Sequence, residues 1–285
     1  MKLCAYVRSL LMFCVIFLLG AMSYAHEMKV MTFNIRCGSC EDSSSINHWS
    51  KRKSLVRELI KSQAPDIIGL QEAEQFQIKD LANLLGDYDW IGVGRDDGKE
   101  AGEATVIFFR KSRFSLLTQK TLWLSDTPEV VSRGWDGKLN RTVTILKLKD
   151  NNSNGREFYF YNTHLDHVGQ QARAEGLQLI VRLMNSGSEN LPLILTGDFN
   201  FTRDFWAYNI IASRLLDAQF ISQSPPEGGN QTFNGFGSST DPNNKIDYIF
   251  VSDSWNVISH RISTQLYEGR YPSDHFPVEA RLTLK

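Results

Sequence analysis

The chain has 285 residues, of which 42% are hydrophobic and 22% charged, and its formal net charge at pH 7 is −1. This composition is ordinary for a globular protein, and the length suffices for one large α/β domain or two small ones. The near-neutral charge gives no indication of a broad nucleic-acid-binding surface, although it is compatible with a local basic patch.

Residues 1–25 have the pattern of a secretory signal peptide. Lys2 and Arg8 supply a positive start, 10–20 is a nearly unbroken apolar core, and a small-x-small cleavage site, Ser-Tyr-Ala, follows. The alternative is an uncleaved membrane anchor, but the apolar core is short for a span. We therefore expect export to a periplasm or out of the cell, with no stable membrane span in the mature domain, 26–285.

Export would determine how the remaining cysteine pair is interpreted. Beyond the leader the sequence contains only Cys37 and Cys40, as Cys-Gly-Ser-Cys. In an oxidising compartment such a pair closes a small loop disulfide. A redox dithiol and half of a zinc site are the alternatives, and a zinc site lacks a second cysteine pair. We favour a disulfide that fixes the loop after the first strand.

Strands and helices alternate along the chain according to hydrophobic periodicity and to the positions of glycine and proline. Strands are predicted over 29–34, 66–70, 88–94, 105–109, 142–148, 157–162, 191–196, 246–251, 258–264 and 278–284, with a β-rich segment over 114–150. Helices are predicted over 49–63, 75–86, 170–185 and 207–215. Because the composition does not change along the chain, we expect one domain, with mixed rather than purely parallel sheets.

Polar side chains flank several of the predicted strands. They are Asn34, Glu72, His164 with Asp166, Asp198 with Asn200, Asp247, and Asp274 with His275. Each has a structural explanation of its own, such as turn capping, an exposed charge or a core histidine with satisfied hydrogen bonds. Together they indicate a site, because ligands in α/β proteins gather at the ends of strands.

The residue types favour one kind of chemistry. Carboxylates with an amide suit a hard divalent ion, Mg²⁺ or Mn²⁺, and histidines bind phosphoryl oxygens or move protons. The sequence has no Gly-x-Ser-x-Gly elbow, no His-Glu-x-x-His and no phosphate-cradling Walker loop. Metal-assisted attack of water on phosphorus is the reaction that these residues favour.

Taken in chain order, these motifs make a resemblance specific. They are Phe33-Asn-Ile-Arg36, Gln71-Glu72, His164-Leu-Asp166, Gly197-Asp-Phe-Asn200, Ile246-Asp-Tyr248 and Ser273-Asp-His275. The set resembles the endonuclease/exonuclease/phosphatase superfamily, which includes deoxyribonuclease I and inositol polyphosphate 5-phosphatases. The resemblance implies an α/β (α+β) fold of the deoxyribonuclease I type, a four-layer sandwich of two mixed β-sheets flanked by helices.

The resemblance also implies a metal site. Glu72 would be the main metal ligand, with Asn34 nearby and Asp274 as a further ligand. Arg36 stands where some relatives place a second acid, which resembles the deoxyribonuclease I pattern and puts a two-metal site in doubt.

Catalytic roles follow from the same matched motifs. They fall on His164, Asp166, Asp198, Asn200, Asp247, Asp274 and His275. Asp198 would orient or deprotonate the attacking water, and Asn200 would hold the phosphate. His164 would bind a phosphoryl oxygen and aid the leaving group. His275 would act as a base or phosphate ligand, steered by Asp274, and Asp247 would support a histidine or the metal.

Other segments resemble an exported, bacterial-type subgroup of this superfamily. They are 92–98, 123–128 and 163–167. With them the candidates for substrate binding are Arg36, Arg95, Glu103, Trp123, Arg133, Trp135 and His167. The alternative is that these side chains form a salt-bridged, aromatic-packed loop without a role in binding.

Three functions are compatible with the sequence. We favour a secreted Mg²⁺-dependent phosphoesterase acting on a small phosphorylated molecule, such as a sugar, inositol or lipid head-group phosphate. The second is a secreted nuclease, which Arg36 supports, with nucleic acid only as a substrate. The third is a binding module with an inactive site, against which the full set of catalytic residue types argues. We expect the protein to be a monomer.

Overall fold

A computed structural model describes residues 26–187 and 190–285. The predicted signal peptide, residues 1–25, lies outside the described residues. Within the described ranges, no helix combines the length and the apolar character that crossing a membrane requires.

The described chain forms twelve strands, four α-helices and one short 3-10 helix, Gly235–Gly237. The strands are β1 (Met28–Asn34), β2 (Ile67–Glu74), β3 (Tyr88–Ile91), β4 (Glu103–Arg110), β5 (Phe114–Trp123), β6 (Thr142–Asp150), β7 (Arg156–His164), β8 (Leu193–Asp198), β9 (Leu216–Asp217), β10 (Asp247–Val251), β11 (Trp255–Ile262) and β12 (Val278–Leu284). The helices are α1 (Trp49–Gln63), α2 (Gln75–Leu84), α3 (Gln170–Gly187) and α4 (Tyr208–Ala212).

The strands form two six-stranded mixed sheets. The first has the order β11-β12-β1-β2-β4-β3, and the second has the order β5-β6-β7-β8-β10-β9. In each sheet one pair is parallel, β1 with β2 and β7 with β8, and the other pairs are antiparallel. The prediction of mixed sheets is confirmed.

The sheets pack face to face and each carries helices on its outer face. The core between the sheets contains Val30 and Ile67 from the first sheet with Phe158 and Ile249 from the second. α1 and α2 pack on the outer face of the first sheet, and α3 and α4 pack on that of the second. Fully burying each such large apolar side chain contributes about 1.5–3 kcal/mol. The expected four-layer sandwich is confirmed.

α1 shows why the helix predictions hold where the periodicity is strong. Leu55, Val56, Leu59 and Ile60 are buried on one face, and the His48 side chain accepts a hydrogen bond from the Ser50 amide at the N-terminus. The helix ends in a left-handed Ala64, followed by a proline that cannot continue it.

The predictions differ from the structure where side-chain alternation is broken. The helix expected over 207–215 spans Tyr208–Ala212, because the chain then turns into the short edge strand β9. The strand expected over 258–264 begins earlier, at Trp255, and a register shift between Val257 and Ser259 interrupts its period of two.

The topology brings the polar strand ends to one edge of the sandwich. Asn34, His164 and Asp198 are the last residues of β1, β7 and β8. Glu72 lies inside β2, at a register shift between Leu70 and Ala73, and has a φ of 59°. Because parallel strands end on the same side, these residues from both sheets come together.

Candidate active site

The polar strand ends line a cleft of about 400 Å³. Its lining residues are Arg36, Cys37, Cys40, Glu72, Glu103, Leu139, Arg141, His164, His167, Asp198, Asn200, Phe233, Ile246, Asp274 and His275. A cleft of this size is typical of small-molecule sites.

The Asn34 side chain joins the two sheets at the floor of the cleft. Its fully buried amide nitrogen donates to Glu72 Oε1 at 3.0 Å and to Asp198 Oδ2 at 2.9 Å. The second Glu72 oxygen, Oε2, accepts a hydrogen bond from the Cys37 amide at 3.0 Å. Burial favours the protonated acid, but the Asn34 hydrogen bond and the nearby His275 charge hold the pKa of Glu72 below its usual value. Glu72 is therefore a carboxylate.

These oxygens suit a divalent cation. Ligand atoms of Glu72, His164 and Asp198 all lie within 4.8 Å of one another. Carboxylates held by charge-neutral amides retain lone pairs for a hard cation, and the oxygen-rich donor set matches the preference of Mg²⁺ or Mn²⁺.

Arg36 lies between two acidic groups of the cleft. Its guanidinium is 4.0 Å from Glu72 Oε2 and 3.7 Å from Asp274 Oδ2, and it also pairs with Glu41 at 3.2 Å. The buried Arg52 fixes this segment, because it donates hydrogen bonds to the carbonyl oxygens of Ile35 and Arg36. The guanidinium thus partly neutralises the carboxylates on one side of the cleft.

His275 and two aspartates form a second cluster. His275 Nδ1 is 2.8 Å from Asp247 Oδ2, and His275 Nε2 is 3.8 Å from Asp198 Oδ2. Burial favours the neutral ring, but the charge and hydrogen bond of Asp247 raise the pKa of His275 to about 10. Burial and the charge of Asp247 raise the pKa of Asp198 to about 7. The cluster thus holds an imidazolium beside a carboxyl group that titrates near neutral pH.

His164 and Asn200 pair beside Asp198, whose Oδ2 lies 3.5 Å from His164 Nε2. Asn200 Nδ2 lies 3.0 Å from His164 Nε2 and also donates to the Leu165 carbonyl at 3.0 Å. Burial and the charges of Arg141 and Arg95 hold the pKa of His164 well below its usual value. Because an amide nitrogen donates, the neutral ring accepts at Nε2 and carries its proton on Nδ1.

Arg141 is a cleft residue that the sequence interpretation missed. It is 5% exposed, and its Nη2 lies 3.0 Å from His167 Nδ1. Its Nε is 3.6 Å from Asp166 Oδ2, yet Nε and Nη1 have no hydrogen-bond partner among the described residues. The available signal was weak, since Arg141 belongs to none of the motifs and merely precedes an alternating strand. A buried guanidinium with free donors in a cleft is suited to an anion.

Asp166 was expected to be catalytic, but it does not line the cleft. Its carboxylate accepts hydrogen bonds from the backbone amides of Lys138, Leu139, Val168 and Gly169, at 2.8–3.1 Å. Although burial opposes it, these hydrogen bonds lower the pKa of Asp166 to about 2. The geometry gives this carboxylate a structural task, because its oxygens connect two loops.

The substrate-binding candidates divide into two groups. Arg36, Glu103 and His167 line the cleft, and Arg95 forms a bidentate pair with Glu103 at 2.6 and 3.0 Å. The candidates that do not line the cleft are Arg95, Trp123, Arg133 and Trp135.

Trp123 does not line the cleft but contacts a loop beside it. Its buried indole donates to the Arg95 carbonyl at 2.7 Å, so it fixes the loop that carries Arg95. The backbone amide of Trp123 binds the Pro128 carbonyl, which folds the following loop back on itself. Arg133 lies exposed on that loop and does not line the cleft.

Cys37 and Cys40 are joined in a disulfide, with their Cα atoms 5.4 Å apart. Both residues line the cleft.

A family model described as the Endonuclease/Exonuclease/phosphatase family matches residues 31–275. The chain belongs to this family. Members of the endonuclease/exonuclease/phosphatase family are hydrolases that act on phosphoester bonds, and the expectation of a hydrolase is confirmed. Enzymes of the family typically depend on a divalent metal, which agrees with the acidic residues in the cleft.

Solved structures support membership in the endonuclease/exonuclease/phosphatase family over the whole fold. A family protein from Bacteroides vulgatus is 38% identical, with a TM-score of 0.86 over 91% of this chain and 100% of that one. A mannosyl-6-phosphatase from Bacteroides thetaiotaomicron is 36% identical, with a TM-score of 0.85 over 90% and 100%. Among curated relatives, rat nocturnin is 25% identical over 249 residues, and the match spans 80% of this chain but 56% of nocturnin.

Proposed function

We propose that this family member is an exported, Mg²⁺-dependent phosphoesterase that releases phosphate from a small phosphorylated molecule, with a sugar phosphate as the leading class. The observation that carries the proposal is the cluster in which the Asn34 amide holds Glu72 and Asp198 together, 3.0 and 2.9 Å away. His275 adjoins the same Asp198 oxygen. Two carboxylates, an imidazolium and an amide therefore lie close together in the cleft.

The cleft favours a small substrate. Its volume of about 400 Å³ lies within the usual range for small-molecule sites. Acidic groups share the lining with a few arginines, whereas a nucleic-acid track needs a continuous row of cations. The similar mannosyl-6-phosphatase supports a sugar phosphate over inositol or lipid head-group phosphates.

Glu72 and Asp274, with the Asn34 side-chain oxygen, would hold the divalent ion. Asn34 Oδ1 accepts one hydrogen bond, from the Arg36 amide at 3.0 Å, and retains a second lone pair. When bound, a divalent ion neutralises charge on the phosphate oxygens and lowers the pKa of an attached water.

Asp198 is assigned the role of general base. A carboxylate whose pKa is about 7 is well matched to accepting a proton from water at neutral pH. The water oxygen forms a bond to phosphorus as the ester P–O bond breaks, which yields phosphate and an alcohol. The leaving oxygen takes up a proton from solvent water, and Asp198 later releases its own proton to solvent, so the two transfers balance.

Two other groups would bind the phosphate. The His275 imidazolium, kept charged by Asp247, donates from Nε2 to a phosphate oxygen. The Asn200 amide has no free N–H for the phosphate, because it donates one to His164 Nε2 and the other to the Leu165 carbonyl. Arg141 adds positive charge to the lining of the cleft, and its buried Nε and Nη1 have no hydrogen-bond partner among the described residues. Such preorganised donors stabilise the charge that develops in the transition state.

The test uses residues 26–285 with Mg²⁺ and an EDTA control. Phosphate release from sugar and inositol phosphates is followed beside nicking of a plasmid. EDTA-sensitive phosphate release with intact plasmid is the expected result. Nicking without phosphate release, weakening steeply with salt, would replace the proposal by a nuclease. Activity that persists in EDTA would remove the metal assignment.

A further inference from the structure

The Cys37–Cys40 loop forms part of the cleft beside Glu72. Both cysteines line the cleft, and their sulfur atoms lie within 4.8 Å of a Glu72 carboxylate oxygen. Cys37 is buried and Cys40 is exposed. The disulfide therefore reaches from the interior to solvent at the edge of the proposed metal site.

This loop supplies one of the two donors that orient the Glu72 carboxylate. The Cys37 amide binds Oε2 at 3.0 Å, while Asn34 binds Oε1 at 3.0 Å from the other side. Glu72 also lies in left-handed backbone conformation at a break in the register of β2. Its side chain therefore depends on these two donors, rather than on a regular strand, for its orientation.

Apart from the disulfide, a few hydrogen bonds fix the loop, and Arg52 holds the Ile35 and Arg36 carbonyls that precede it. The segment from 35 to 48 contains neither helix nor strand. Beside the disulfide, the Gly38 amide binds Gln77 Oε1 at 2.9 Å, and the Ser39 amide and hydroxyl each bind Glu74 at 2.7 Å. A Cβ atom at Gly38 would lie 2.4 Å from the Phe76 ring, so the loop packs closely on the start of α2.

We propose that the Cys37–Cys40 disulfide positions Glu72 as a metal ligand by holding the Cys37 amide against Oε2. The inference rests on the proposed metal role of Glu72 and adds a dependence on redox state. A phosphine reductant, which takes up oxygen from water as it is oxidised, converts the S–S bond into two thiols. The released loop then holds the Cys37 amide less firmly, and the affinity for the divalent ion falls.

The expected loss of metal affinity follows from what is typical of groups that orient metal ligands. Removing such a partner typically lowers metal affinity about 10–100-fold. Because one of two donors is loosened rather than deleted, we expect the low end, about 10-fold. The amide itself remains, so saturating Mg²⁺ restores most of kcat. A purely structural disulfide would instead lower thermal stability without changing the metal affinity of the folded enzyme.

The test measures Mg²⁺ binding by calorimetry on residues 26–285, together with the Mg²⁺ dependence of kcat. The variant is the double substitution Cys37→Ser and Cys40→Ser. Ser39→Ala is the matched control, because it removes a hydroxyl contact of the same loop and leaves the disulfide intact. We expect about 10-fold weaker binding in the double variant and unchanged binding in Ser39→Ala.

The same measurement on phosphine-reduced wild type decides the question if the double variant does not fold. Equal Mg²⁺ affinity of the oxidised and the reduced or substituted protein would overturn the inference and leave the proposed function intact. If the oxidised wild type binds no divalent ion, the metal assignment fails first and the inference with it.

Discussion

Asp198 and Asp247 lie directly opposite each other in the antiparallel pairing of β8 with β10, and both carboxylates approach His275. Two buried acids so close together share the charge of one imidazolium. This explains why one of them, Asp198, has its pKa raised to about 7 by burial and by the charge of Asp247. The strand register therefore sets the protonation chemistry of the cleft.

Replacing Asp247 with Asn is expected to lower kcat about 100-fold, a typical loss for a group that supports proton transfer or charge stabilisation. The substitution keeps the shape of the side chain but removes the charge that holds His275 as an imidazolium. Steady-state kinetics with the sugar phosphate that gives the fastest phosphate release provide the measurement. Asp253→Asn is the control, because Asp253 pairs with Lys285 on the surface. Near-wild-type kcat in Asp247→Asn would remove the assigned role of His275.

Substitution of Arg141 and of Arg133 tests which of the two side chains contacts the substrate. We expect Arg141→Ala to lower kcat/KM about 10–100-fold, because a hydrogen bond to a charged group contributes about 1.5–3 kcal/mol. We expect Arg133→Ala to match wild type, because Arg133 is exposed and does not line the cleft. Melting temperatures of both variants serve as the check on folding. The opposite ranking would restore Arg133 as a binding residue.

Asp166 is expected to govern stability rather than chemistry. Its folded pKa of about 2 lies below the usual 3.8, so its contribution is complete above pH 3.8 and is lost as the pH falls towards 2. Asp166→Asn should therefore melt at a lower temperature than wild type at pH 7, and the difference should shrink below pH 4. Thermal unfolding followed by circular dichroism across this range is the measurement. A difference in melting temperature that does not depend on pH would contradict the stabilising role assigned to the Asp166 carboxylate.

His260 should make the fold sensitive to mild acid. It is buried with neither ring nitrogen hydrogen-bonded among the described residues, and burial lowers its pKa from 6.5 to about 3. The folded state therefore prefers the neutral ring, and stability falls as the pH drops from 6.5 towards 3. Replacing His260 with Leu removes the titrating group and should flatten this part of the curve. Denaturant unfolding at pH 7 and pH 5 compares the two proteins, and equal pH slopes would exclude His260 as the source.

Hydrophobic periodicity predicted most of the strands and helices, whereas the four-layer sandwich was what the family resemblance implied. Central strands such as β8 and β10 are buried on both faces and show no alternation. The site followed from strand ends, since parallel pairs bring Asn34 beside Glu72 and His164 beside Asp198. Hydrophobic periodicity does not predict which residues a side chain at the end of a strand will contact. Arg141 precedes β6 and Trp123 ends β5, yet the first lines the cleft and the second holds the Arg95 loop.

Asp166 illustrates a further limit of the sequence. A carboxylate two residues after a motif histidine satisfies the family pattern equally well as a catalytic group or as an acceptor for backbone amides. Only the fold of the loop at 138–139, which is distant in sequence, decides between them. Similarly, the position of Glu72 depends on a register shift in β2, and hydrophobic alternation in the sequence does not predict this shift.

The Asn34 side chain connects proposed catalytic groups that belong to different sheets. Glu72 belongs to one sheet and Asp198 to the other, and a single amide group spans the gap. Neither sheet with its helices therefore contains a complete site. A small slip of one sheet against the other would separate the acids before the fold is lost, so loss of turnover would be an early sign of loosening in the central core.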